Sequence, residues 1–146
     1  MSAGRVTRLE LRVRFGETDA FGIVFYPNFF QYFDLGTEEL WRQSPYDFEA
    51  GLNAGGIGFP ILESGGKFLA PLYPGDTFTV VTRVAEVRTR ALRVEHEILR
   101  GETLIATGFE VRAHARKLAG SEKLVMEPIP ADLRAWLLPA TADATA

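Results

Sequence analysis

Residues 27–43 read Pro27-Asn28-Phe29-Phe30-Gln31-Tyr32-Phe33-Asp34-Leu35-Gly36-Thr37-Glu38-Glu39-Leu40-Trp41-Arg42-Gln43. Phe29, Tyr32, Phe33, Gly36 and Leu40 recur at the spacing of one helical face, and Gln31, Asp34, Glu38, Glu39 and Arg42 fall mostly elsewhere. Pro27 suits a first turn, where a backbone N–H has no intrahelical partner to lose. The stretch therefore predicts an amphipathic helix with an aromatic buried face. Gly36 costs such a helix about 1 kcal/mol relative to Ala. Close approach of the helix backbone to a sheet is the plain reason to keep it.

Outward from this helix the period changes to two. Leu9, Leu11, Val13 and Phe15 alternate with Glu10, Arg12 and Arg14, the pattern of a half-buried strand. A glycine-containing loop, 16–26, joins that strand to the helix. Residues 44–60 are rich in Pro, Gly and Asn and read as a long loop with one helical turn. Strands are predicted near 58–69, 76–87, 91–100 and 103–116. Leu92, Val94, His96 and Ile98 alternate in one of them, and Ile105, Thr107, Phe109, Val111 and Ala113 in the last. Pro74-Gly75-Asp76 and Arg100-Gly101-Glu102 are turn signals. A short helix is expected around 131–138, followed by a frayed tail over about 140–146. Strand, loop, long helix and four consecutive strands imply an α+β domain over 1–146, with an antiparallel sheet of five strands beside one helix. Its open strand edges favour pairing between subunits, a homodimer or homotetramer.

Composition narrows the function. The chain has 146 residues, 47% hydrophobic and 24% charged, with net charge −3 and no cysteine. Thiol nucleophiles, Cys-based zinc sites and disulfides are excluded. No global basic field exists to hold nucleic acid. The first residues lack the apolar core of a signal peptide, and no apolar run reaches the roughly 18 residues of a membrane span. Cytoplasm is the expected compartment. His96 and His114 stand far apart and read as structural or solvent-facing, which leaves a metal site without support. Neither a G-x-S-x-G elbow nor a Walker-type phosphate loop is present.

The segment with chemical content is Phe15-Gly16-Glu17-Thr18-Asp19-Ala20-Phe21-Gly22-Ile23-Val24-Phe25-Tyr26-Pro27-Asn28-Phe29. It runs from a strand into a helix N-terminus, where unpaired N–H groups and the helix dipole stabilise negative charge developing on a carbonyl oxygen. A carboxylate held nearby could attack that carbonyl or activate a water. On local composition alone the plainer readings weigh more: Asp19 as a turn residue, Glu17 as a solvated loop carboxylate, Tyr26 as packing. Glu63, in a β segment, reads as exposed or structurally paired.

The same segment, continuous over Phe15 to Phe29, closely resembles the active-site stretch of the 4-hydroxybenzoyl-CoA thioesterase family, in the branch with its catalytic aspartate in the loop before the central helix. Weaker similarity extends over Gly56–Leu62, Tyr73–Asp76 and Ile129–Asp132. The resemblance implies a hotdog fold, a sheet wrapped round one long helix, with active sites at a dimer interface. It implies hydrolysis of an acyl-CoA, with Asp19 as nucleophile or general base and the backbone N–H of Tyr26 polarising the thioester carbonyl. Tyrosine replaces the histidine that many aliphatic-acyl relatives carry there, which tilts the expectation toward an aromatic, benzoyl- or hydroxybenzoyl-type acyl group. Arg88 and Arg90, in a basic turn matching one in the family, and Lys123, near another basic position, are the expected contacts for the phosphates of coenzyme A. Arg116 and Lys117 form a further basic pair. No cofactor is implied beyond the coenzyme A of the substrate. Two other readings stay open: a non-catalytic acyl-CoA-binding or interaction module, and a hydratase or dehydratase of the same fold. The latter usually needs an Asp–His pair, and the first histidine after Asp19 is His96.

Overall fold

The structure, a computed structural model, describes residues 4–53 and 56–139. The predicted tail at 140–146 lies outside the described residues. Strand β1 (Val6–Arg12) leads through the loop to helix α1 (Pro27–Gln43) and short helix α2 (Phe48–Asn53). Then come β2 (Ile57–Gly58), β3 (Ile61–Phe68), β4 (Thr77–Val87), β5 (Ala91–Arg100), β6 (Thr103–Ala113), β7 (Ala115–Lys117), β8 (Leu124–Met126) and α3 (Ala131–Leu137). The main sheet has five strands in the order β1-β4-β5-β6-β3, and each pairing is antiparallel. Helix α1 lies against it, as the hotdog expectation required.

The face read from the sequence is the face that is buried. Phe29, Tyr32, Phe33, Gly36 and Leu40 are all buried, joined by Thr37, Glu39 and Trp41. Phe29, Tyr32 and Phe33 pack with Phe78, Val80, Ile98 and Ile105 in one core cluster. Leu40 and Trp41 join Phe59, Val84, Leu92, Val94, Leu133 and Leu137 in a second. Gly36 marks the closest approach. A Cβ there would stand 2.5 Å from Thr82 Oγ1 and 2.8 Å from Val80 Cγ1. Gly108 on β6 makes the matching hollow for Phe33, whose ring atoms would lie 2.3 Å from an added Cβ.

The helix–sheet seam also buries polar groups, and each is paired, as burial demands. His96 stacks on Phe33 and its Nδ1 lies 2.9 Å from Thr82 Oγ1. Its Nε2 faces Glu110 at 3.5 Å, and the Thr37 hydroxyl donates to Glu110. Arg112 donates to Glu110 (3.0 Å), to Asp34 (2.7 Å) and to the Phe59 carbonyl (3.0 Å). Burial pushes the Glu110 carboxyl up, but the His96 and Arg112 contacts outweigh it and hold the group at about 2. His96 and His114 are therefore both structural: His114 is buried, with its ring against Phe59.

Two predicted strands divide. The stretch 58–69 becomes β2 and β3, broken at Pro60, which has no N–H to give a ladder. The stretch 103–116 becomes β6 and β7, broken at His114. β2, β7 and β8 form a separate three-stranded sheet that strand periodicity did not predict, because its members span only two or three residues each.

Candidate active site

Between β1 and α1 the chain makes a 3-10 turn at Phe15–Glu17 and then folds back on itself. Phe25 N–H donates to the Glu17 carbonyl (2.9 Å), Thr18 bridges Val24, and Asp19 N–H donates to the Ile23 carbonyl (2.9 Å). The result is a miniature hairpin whose tip begins at Asp19. Gly22 N–H returns to the Asp19 carbonyl (2.9 Å), with Gly22 at φ +79°, a conformation that strains a residue bearing Cβ. Asp19 Oδ1 accepts from Phe21 N–H at 2.9 Å, the local bond that makes aspartate a natural first turn residue. Its other carboxylate oxygen takes no hydrogen bond from the described residues, and the side chain is only half-buried. Val24 roots the hairpin in the core, 3% exposed, with its N–H on the Leu72 carbonyl.

The hairpin delivers the chain to the helix entrance. Tyr26 is the N-cap residue and Pro27 opens the helix. Asn28 N–H is taken by the Phe25 carbonyl (2.8 Å) and Phe29 N–H by the Tyr26 carbonyl (3.1 Å). Tyr26 N–H has no acceptor among the described residues, at the end of the helix where the dipole favours negative charge. A carboxylate with an uncommitted oxygen and an uncommitted N–H thus flank one short ladder. That pair can supply a base or nucleophile together with an oxyanion donor.

Glu17 is not the solvated loop carboxylate the sequence suggested. It is half-buried, and its Oε1 accepts from the Tyr32 hydroxyl (2.8 Å) and from Arg14 N–H (2.9 Å). Its carbonyl takes Asn28 Nδ2 (2.8 Å) as well as Phe25 N–H. Burial, with the hydrogen bond and charge of Glu17, pushes the Tyr32 hydroxyl well above its ordinary range.

The expected cations do not form one cluster. Arg88 is exposed and engages Glu86 at 3.0 Å. Arg90 is exposed, and its side chain meets no partner among the described residues. Lys123 lies on another turn, between β7 and β8, also exposed and without a side-chain partner among the described residues. Arg116 is paired with Glu127 and Lys117 with Glu122. Sequence reasoning passed over Arg134, whose guanidinium donates from α3 to the carbonyls of Arg88 (2.6 Å), Thr89 (3.3 Å) and Val87 (3.4 Å). Glu63 lies exposed on β3.

A cavity of about 920 Å³ is lined by Asp34, Trp41, Tyr46, Phe59 and Arg112 among others, but not by Asp19 or Tyr26. Along α1 its lining begins roughly 12 Å from Tyr26, at 1.5 Å per residue. Among the described residues no cluster of His, Cys, Asp and Glu could hold a metal ion.

The sequence profile described as "Thioesterase-like superfamily" matches residues 13–137. The chain is 26% identical to the 4-hydroxybenzoyl-CoA thioesterase of Pseudomonas sp. (strain CBS-3), over 88% of this chain and 94% of that protein. It is 27% identical to the 1,4-dihydroxy-2-naphthoyl-CoA hydrolase of Thermosynechococcus vestitus, over 91% and 89%. Among solved structures, a gentisyl-coenzyme A thioesterase superposes with TM-score 0.80 at 33% identity, over 88% of this chain and 99% of that one. The chain belongs to the thioesterase-like superfamily, with the hotdog fold.

Proposed function

We propose that the protein hydrolyses an acyl-CoA thioester, with an aromatic acyl group, to the free acid and CoA. The observation that carries the reading is the pairing of Asp19, with one uncommitted carboxylate oxygen, and Tyr26 N–H, uncommitted at a helix N-terminus. The Asp19 carboxylate attacks the thioester carbon, or takes a proton from the water that does. The carbonyl oxygen, becoming negative, accepts from Tyr26 N–H. The C–S bond breaks, CoA leaves as thiolate and is protonated by solvent, and water supplies the oxygen of the acid. One such oxyanion donor is worth about 2.7–4 kcal/mol in the transition state. The aromatic acyl group is supported by the named substrates of the relatives and by the exposed rings of Phe21, Phe25, Tyr26 and Phe68 near the entrance. Arg90, and after it Arg88 and Lys123, are the candidates to meet the CoA phosphates, for which the guanidinium fork is suited.

The working unit in this reading is a homodimer or a homotetramer built from it, acting in the cytoplasm. Support comes from β3, an outer strand of the sheet whose Ile61, Leu62 and Phe68 are 46%, 55% and 42% exposed. A protomer that keeps its Asp19 carboxylate away from the cavity beside Trp41 and Phe59 favours a site completed by a second copy. No helix among the described residues is long and apolar enough to cross a membrane.

The test is thiol release from a panel of aromatic and aliphatic CoA esters, run beside Asp19→Asn. Wild type should favour an aromatic ester, and Asp19→Asn should fold normally yet turn over at least about 100-fold more slowly. Near wild-type turnover by Asp19→Asn would refute the assignment. Hydration or dehydration is disfavoured because His96 is enclosed by Phe33, Thr82 and Glu110, and His114 is buried. Tight CoA-ester binding with no thiol release would mark a binding module instead.

A further inference from the structure

We infer that Glu17 and Tyr32 are positioning residues that hold Asp19 in register with the helix entrance, an inference that rests on the hydrolytic reading above. Glu17 stands at the base of the hairpin that carries Asp19. Its carbonyl binds Phe25 N–H (2.9 Å) and Asn28 Nδ2 (2.8 Å), residues on either side of Tyr26 and Pro27. Its carboxylate binds the Tyr32 hydroxyl (2.8 Å), one turn further along α1, and Arg14 N–H (2.9 Å), two residues past β1. The loop is thereby tied to both flanking elements through one residue.

The anchor is firm. Tyr32 is 2% exposed, with its ring against Phe29 (5.8 Å) and Phe78 (4.7 Å), so its hydroxyl has little freedom to follow a moving loop. Burial and the neighbouring carboxylate keep that hydroxyl protonated, and a protonated phenol is the donor the contact needs. By contrast the hairpin tip beyond Asp19 has nothing comparable: Ala20, Phe21 and Gly22 are all exposed. Without the Glu17–Tyr32 contact the carboxylate of residue 19 stays in place chemically but loses its fixed distance to Tyr26 N–H. Misplacement by about 1 Å can cost on the order of 100-fold in rate. The loss falls on kcat, because neither Glu17 nor Tyr32 is assigned a contact to substrate.

The test uses Tyr32→Phe, which keeps the buried ring, Glu17→Gln, which keeps an acceptor oxygen, and Glu17→Ala, which keeps none. Each is assayed on the best CoA ester beside Asp19→Asn, and amide hydrogen exchange is followed at Asp19, Phe21 and Phe25. Tyr32→Phe and Glu17→Ala should lower kcat at least about tenfold with KM within about twofold, by the logic of an interaction that matters only in the transition state. Their double variant should be no slower than the worse single one, since both break one contact. Glu17→Gln should stay within about threefold of wild type, because its amide oxygen still accepts. Exchange at the three amides should quicken in Tyr32→Phe and Glu17→Ala. If Glu17→Ala does not fold, Tyr32→Phe and Glu17→Gln decide alone. Wild-type kcat in Tyr32→Phe, or a kcat loss without faster exchange, overturns the inference. A dead Asp19→Asn beside a fully active Tyr32→Phe sinks the clamp alone, whereas full activity in Asp19→Asn, or no thioester hydrolysed by wild type, sinks the hydrolytic reading and the clamp with it.

Discussion

Charges on this molecule differ in what they are free to do. Arg88 is already committed to Glu86, while Arg90 has no such neighbour among the described residues. Arg90→Ala should raise KM for the CoA ester about tenfold, the scale of a lost charge-assisted hydrogen bond, and Arg88→Ala by less. Kinetics on the corresponding pantetheine thioester, which lacks the nucleotide phosphates, check the cause: there neither substitution should matter. Glu110 differs again. Its folded-state group sits at about 2 against an ordinary 4.5, so its stabilising effect is complete above pH 4.5 and vanishes as pH falls toward 2. Thermal unfolding from pH 7 to pH 2 should show a steep acid loss in wild type across that window. Glu110→Gln should flatten it, and at neutral pH should already be about 1.5–3 kcal/mol less stable, because the part-buried Arg112 loses one of its two carboxylate partners. The candidacy of Asp19 was legible through a continuous motif. That of Glu17 was not, because its partner Tyr32 is fifteen positions away and turns toward it only once the hairpin and helix have formed.

Elements were legible wherever burial is one-sided and long. The alternation in 91–100 gave β5 to the residue, and the aromatic spacing of 27–43 gave α1. Gly36 was legible too, since a mid-helix glycine in an otherwise strong helix needs a steric reason. Gly36→Ala would gain helix propensity of about 1 kcal/mol. It should nonetheless destabilise the protein by about 1–3 kcal/mol, because the methyl group overlaps Thr82 and Val80. Denaturant unfolding with an unchanged slope and a lower midpoint is the expected result; a higher midpoint would mean the helix can shift outward freely. What pattern could not give is the division at Pro60 and at His114. Both strands read as continuous, and the small sheet of β2, β7 and β8 has elements too short to carry a period.

For the whole molecule, a single chain leaves an outer strand with exposed apolar side chains, Ile61, Leu62 and Phe68. Sedimentation should therefore give at least twice the 16.2 kDa chain mass. Leu62→Glu should lower that mass and the specific activity together, since an unpaired carboxylate is costly to bury in an interface. A fully active monomer would separate catalysis from assembly. The other end of the chain matters as well. Arg134 reaches from the last helix to three successive carbonyls, those of Val87, Arg88 and Thr89, between β4 and β5. The short helix that the sequence places near the end of the chain thus splints a distant turn. Clipping the protein ahead of α3 would strip Leu133 and Leu137 from the second core cluster and release the turn that carries Arg88 and Arg90 from its Arg134 splint.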